Sequence, residues 1–267
     1  MKNKTKKALC AISILGVVAI SGIFAYLTDN ESKENVFTIG NVDIELLEPS
    51  WPTEDLHGDA ENDDGPNGIP DAVENLVPNQ FVAKDPQVKN VGKNDAYVFL
   101  RVQYKMCGDS LTYLPVPNVV PWPDNELEKN LGSRGWLVSE NNMDITVDND
   151  GNIYASMVYA YKDVLEPGQT TSALFDGIEI RDLTEAYRGL KECIKIDAFA
   201  IQANELPADI AEEIAEAAEG IEEIDYNNFG DEDVEALNAY GNAMGAVYDI
   251  IMNQNPNAQT TSYVPAP

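Results

Sequence analysis

Histidine is almost missing from this chain: 267 residues hold one, His57. The HExxH signature of zinc proteases needs two histidines, so it is absent. A Ser-His-Asp triad would have to use His57, which lies in a Pro/Asp/Gly-rich stretch where a rigid triad is hard to build. Basic residues are scarce too, with 17 Lys and Arg against 46 Asp and Glu and a formal net charge of -29. Such a surface repels a phosphate backbone, which argues against a nucleic-acid partner. It repels anionic headgroups equally, which argues against a peripheral lipid binder. Cysteine is limited to Cys10, Cys107 and Cys193. Cys10 follows Lys7-Ala8-Leu9 and precedes most of the apolar run, so it is no lipobox cysteine. Cys107 and Cys193 stand as a candidate disulfide in an oxidising compartment, or as two separate buried thiols. Spacing along the chain does not choose between them. Apolar residues are not lacking: at 44% they suffice for a packed core, in one large domain or two small ones.

The N-terminus has the layout of an export signal. Met1 to Lys7 carries four lysines and no acid, and Ala8 to Leu27 is uncharged. A basic start, an apolar run and a small residue near a polar exit make a signal peptide, with Ala25 as its last residue and Tyr26 as the first of the mature chain. The alternative is an uncleaved membrane anchor, for which the run is long enough. Removing residues 1–25 takes away lysines only, so the mature chain is more acidic still, soluble and responsive to divalent cations.

Between Val36 and Gln202 the apolar pattern has a period of two. Val42, Ile44 and Leu46 alternate with Asn41, Asp43 and Glu45. Val98, Leu100, Val102 and Tyr104 alternate with Phe99, Arg101 and Gln103. Ile153, Ala155, Met157, Tyr159 and Tyr161 continue the pattern, as do Ile194, Ile196, Ala198 and Ala200 against Lys195 and Asp197. This predicts half-buried strands with one dry and one wet face. Turn signals separate them at Gly92-Lys93-Asn94-Asp95, Asn149-Asp150-Gly151-Asn152 and Glu166-Pro167-Gly168. No βαβ alternation occurs, so the expected fold is mainly β, an antiparallel two-sheet sandwich of jelly-roll type.

After Gln202 the period changes. Ile210, Ile214, Ile221 and Ile224 share one helical face, and Pro207 sits where a helix begins. Asn227 to Gly230 breaks the pattern, and Val234, Leu237, Met244, Val247, Tyr248 and Ile251 form a second stripe. Residues 204–252 therefore read as a C-terminal α-helical hairpin packed on the sandwich or on itself. Acidic polar faces argue against a membrane-surface role. The tail, residues 253–267, is polar and ends in proline, and reads as disordered, with no LPxTG-type wall anchor. Trp51, Trp122 and Trp136 read as core or turn packing.

Several segments, in order, carry a family resemblance. Lys6-Lys7-Ala8-Leu9-Cys10 through Ala25-Tyr26-Leu27-Thr28-Asp29 resembles the signal peptides cut by a SipW-type signal peptidase. Val36-Phe37-Thr38-Ile39-Gly40-Asn41-Val42-Asp43-Ile44 is similar to the first mature strand of the TasA/camelysin family. Lys84-Asp85-Pro86-Gln87-Val88-Lys89-Asn90-Val91-Gly92, followed by Asp95-Ala96-Tyr97-Val98-Phe99, resembles that family's most typical segment. Leu165 to Thr171, Leu174-Phe175-Asp176 and Ala198 to Ala203 resemble later pieces. The resemblance covers residues 26–203 beyond the signal, with gaps. It implies a jelly-roll sandwich exported from a Gram-positive cell, secreted or held at the cell surface, and a structural role in surface or biofilm-matrix fibres. In such fibres an N-terminal strand of one subunit completes the sheet of the next, so the implied partners are the signal peptidase, further copies of the chain or related matrix proteins. The donor segment here is Tyr26 to Ile39, which otherwise stays in cis or frays. The family also holds proteins described as metalloendopeptidases, but no catalytic motif in this chain carries that activity over. The acidic stretch 49–80 and the helical hairpin depart from the family pattern.

Within that stretch, Asp63 to Glu74 resembles the aspartate loops of thrombospondin type 3 and dockerin-like repeats. With Asp63 at position one, Asn67 stands at five, Gly68 at the sharp turn, Ile69 at the backbone carbonyl, Asp71 at nine and Glu74 at the bidentate twelfth position. Gly65 at position three offers no ligand, and Pro66 stiffens the turn. The candidate cofactor is calcium, at an unpaired and weak site. The competing interpretation is a solvated acidic loop. Three functions follow: a structural fibre subunit without catalysis, a camelysin-type metalloendopeptidase, and a calcium-dependent adhesion module.

Overall fold

The structure is a computed structural model that describes residues 42–52, 54, 56, 70, 80–107, 112–113, 126–139, 144–147, 153–179, 194–222, 224–254 and 261–262. Every strand pairing is antiparallel. Two long strands anchor the principal sheet, β4 (Ala96–Cys107) and β8 (Ile153–Tyr161), paired from Phe99↔Ala160 to Lys105↔Tyr154. On the other side of β8 lie β6 (Trp136–Val138), along Tyr159 to Tyr161, and β7 (Asp144–Val147), along Ile153 to Ser156. The last long strand, β10 (Ile194–Gln202), flanks β4 in register from Ile194↔Tyr104 to Gln202↔Ala96. A short β5 (Thr112–Tyr113) folds back on the end of β4.

The second sheet is built from β1 (Ile44–Leu47), β2 (Phe81–Ala83), β3 (Gln87–Asn90) and β9 (Gly177–Glu179). β1 pairs with β3, and β2 with β9. Backbone bonds between them make one continuous ladder: Thr171 N donates to Val88 O at 2.9 Å, Leu174 N to Pro86 O at 3.0 Å and Lys84 N to Asp176 O at 3.2 Å. The turn that starts this return run is the Glu166-Pro167-Gly168 signal. Gln169 N donates to Glu166 O at 3.0 Å, and Gly168 has a φ of 84°. Proline followed by a positive-φ glycine is the requirement of a type II turn.

The expectation of a wet outer face is corrected for the three long strands β4, β8 and β10. Val98, Leu100, Val102, Ile196, Ala198 and Ala200 do face the second sheet, in a core shared with Val42, Ile44, Val88 and Trp136. The opposite face is dry as well. Phe99, Phe199, Ile201, Leu137 and Ala160 pack beneath helices in a second core. The reason is visible in β10, where polar alternation stops at Asp197 and every residue from Ala198 to Gln202 is buried. The molecule thus has three layers, with the principal sheet in the middle.

Three helices occur among the described residues. They contribute about as much regular structure as the strands, so the described part is an antiparallel β-rich fold with a large helical share. α1 (Glu126–Ser133) precedes β6. α2 (Ala208–Ile221) starts after Pro207, and α3 (Asp231–Gln254) follows the predicted break. α2 buries only Ile214 fully, with Ile210 and Ile221 partly covered, as is Ile224 just beyond it. α3 is the helix that meets the sheet, burying Leu237, Tyr240, Met244, Val247, Tyr248 and Ile251. Tyr248 lies 5.7 Å from the Phe99 ring and 5.5 Å from the Phe199 ring. Gly241 lets the helix backbone rest on β6, since a Cβ there would lie 2.2 Å from Val138 O. Gly230 caps α3, its N–H donating to Asp233 Oδ2 at 2.7 Å. The acidic first turn, Asp231 to Asp233, suits the positive end of the helix dipole. Among the described residues no helix is long and apolar enough to cross a membrane.

Of the tail expected to be disordered, residues 253–267, only 253–254 and 261–262 are described. Asn253 and Gln254 belong to α3, and Thr261–Ser262 form a short β11 beside β7. Backbone pairing gives these residues the partners that a polar sequence alone does not announce.

Candidate functional site: the open edge of the principal sheet

β10 runs for nine residues and pairs with β4 along its whole length, and no second strand pairs with it among the described residues. In an antiparallel strand, successive residues direct their N–H and C=O groups to opposite sides, so half of β10 points away from β4. Its side chains are nonetheless those of a central strand. Phe199 is 0% exposed, Ala200 and Ile201 1% each. β1 lies against β10 and, among the described residues, is itself paired on one side only, with β3. Two strand edges, one from each sheet, therefore adjoin at the same side of the sandwich.

The helix-facing side of this edge carries ordered charge. Arg101 donates from Nε at 3.0 Å and from Nη2 at 2.6 Å to Asp197 Oδ2, and its guanidinium sits 5.0 Å from the Phe199 ring centroid. Burial works against the Arg101 charge, but Asp197 and Tyr248 more than offset it and hold its pKa above the ordinary value. Lys195 Nζ lies 4.5 Å over the Tyr154 ring. Gln103 Nε2 donates to Ser156 Oγ at 3.1 Å. These contacts fix the side chains of β4, β8 and β10, and no second strand pairs with β10 among the described residues. The chemistry on offer there is main-chain hydrogen bonding and apolar burial.

A second constellation holds the entrance to the acidic stretch. Lys84, 1% exposed, places Nζ 2.7 Å from Glu48 Oε1 and 4.6 Å from the Trp51 ring centroid. Its neighbour Asp85 accepts from Ser50 N at 2.7 Å on Oδ1 and from Ser50 Oγ at 2.8 Å on Oδ2. Further along, the Asn90 amide donates to Asn94 O and Leu165 O, each at 2.8 Å, and its Oδ1 accepts from Gly92 N at 2.9 Å. Thr171 Oγ1 accepts from Val88 N at 2.9 Å. The segments Lys84–Gly92 and Leu165–Thr171, singled out separately in the sequence, thus form the two halves of one junction. The Lys-Asp pair and the N-V-G-K-N-D run were its signal, but partners so distant along the chain carry no local mark.

The candidate calcium ligands Asp63, Asn67, Ile69, Asp71 and Glu74 lie outside the described residues, as do Ala25, Tyr26, His57 and Trp122. Cys107 ends β4 opposite Thr112, and Cys193 lies outside, directly before Ile194, whose partner on β4 is Tyr104. Of the tryptophans, Trp136 is fully buried and donates from Nε1 to Ser172 O at 3.0 Å. Among the described residues no group of three His, Cys, Asp or Glu is placed to hold a metal ion. Comparison with protein-family models, with characterised proteins and with solved structures finds no match to this chain.

Proposed function

We propose that this chain is an exported structural protein of TasA/camelysin type, secreted or held at the cell surface, that assembles into fibres by strand addition. The observation that carries this is the outer edge of β10, a core-quality strand of nine residues that pairs with no strand but β4 among the described residues. An extended segment laid there would satisfy backbone groups and bury alternate side chains, which is how strand addition gains both affinity and register. Tyr26 to Ile39 is the donor, and it lies just upstream of β1, the strand that adjoins β10. The basic and apolar N-terminus supports export through a SipW-type peptidase. A jelly-roll-like topology is part of the same proposal. The chain passes between the two sheets after β3, after β8 and after β9, as such topologies do.

The test compares a chain starting at Tyr26 with one starting at Gly40, by light scattering and negative-stain microscopy, with and without calcium. Filaments from the longer chain that are lost on truncation are the expected result. A monomer under every condition overturns the proposal and leaves a calcium-dependent adhesion module as the next reading to pursue.

A further inference from the structure

We draw no further inference here: the strongest candidate, the buried Lys84–Glu48 ion pair at the junction of β1 and β2, belongs to the site already described, and its contacts are those of a salt bridge, with the neighbouring Asp85 carboxylate taken up by Ser50.

Discussion

Lys84 is the residue on which the junction between β1 and β2 turns. A buried ammonium needs its counter-charge, and Glu48 supplies it at 2.7 Å beside the Trp51 ring. Removing one partner leaves the other charged and desolvated, which costs about 3–5 kcal/mol, whereas replacing both by apolar residues of similar size is often neutral. Lys84→Met alone is therefore expected to lower the unfolding free energy by about 3 kcal/mol or more, and Lys84→Met with Glu48→Leu to recover most of it. Urea denaturation of the two variants reads the difference, and equal losses in both would mean that the pair adds nothing beyond packing. Tyr240 gives a second residue-scale test. Its hydroxyl donates to Lys162 O at 2.7 Å, and burial, with help from Tyr97 and Asp163, pushes its pKa well above the ordinary value of 10.0. A phenol whose folded pKa is raised contributes stability that is fully present below pH 10 and is lost as pH rises above it. Tyr240→Phe is expected to cost about 1 kcal/mol at neutral pH for the lost hydrogen bond. It should also flatten the fall in stability above pH 10, which stability measurements from pH 8 to pH 11 check.

At the scale of elements, α3 decides how the sheet is covered. Gly241 brings its backbone onto β6, with Val138 O where a Cβ would need to be. In an isolated helix Gly→Ala is worth about 1 kcal/mol of stabilisation. Here the added methyl must displace either the helix or a sheet carbonyl, so Gly241→Ala is expected to destabilise by about 1–3 kcal/mol, the range of overpacked cores. A rise in Tm on this substitution would show that α3 has room to move. The same helix marks how far the sequence reaches. β8 is legible as a strand, because Ile153 to Tyr161 alternate and turn signals bound them, but Tyr154, Ser156 and Ala160 on its expected wet face are buried. The breaks at Pro207 and Asn227 to Gly230 place α2 and α3. What the alternation does not reveal is that Phe99, Phe199 and Ile201 lie in a second core, since periodicity reports which residues share a face and not what covers it. α1 gives little signal because it is only eight residues long, too short for its period to stand out. Nor does any local pattern announce that β10 is the last strand of the sheet among the described residues, because edge and central strands of a buried sheet have the same composition. The place of β10 is therefore a property of strand order, which spacing along the chain does not encode.

At the scale of the whole molecule, charge is the dominant fact. The 64 residues from Asn204 onward contain no Lys or Arg, and α2 turns Glu212, Glu213, Glu216 and Glu219 to solvent with no basic residue on the same helix. Like charges at such spacing weaken a helix by a few tenths of a kcal/mol per pair, so the helical layer is held by its packing on Phe99, Phe199 and Ile201 against its own repulsion. Screening should relieve this, and raising salt is expected to raise Tm without any specific site. Calcium offers a way to divide the general effect from a local one. Magnesium at equal ionic strength screens the acidic faces as well as calcium does. It is smaller and demands near-octahedral geometry, so the loop proposed over Asp63, Asn67, Ile69, Asp71 and Glu74 would discriminate between the two ions. If that loop binds, calcium raises Tm further than magnesium, and the excess disappears in Asp63→Asn with Glu74→Gln while the salt effect remains. If the two ions act alike in the unaltered chain, the acidic stretch is a solvated loop clasped at its base by Lys84 and Asp85. The divalent response then belongs to the surface as a whole.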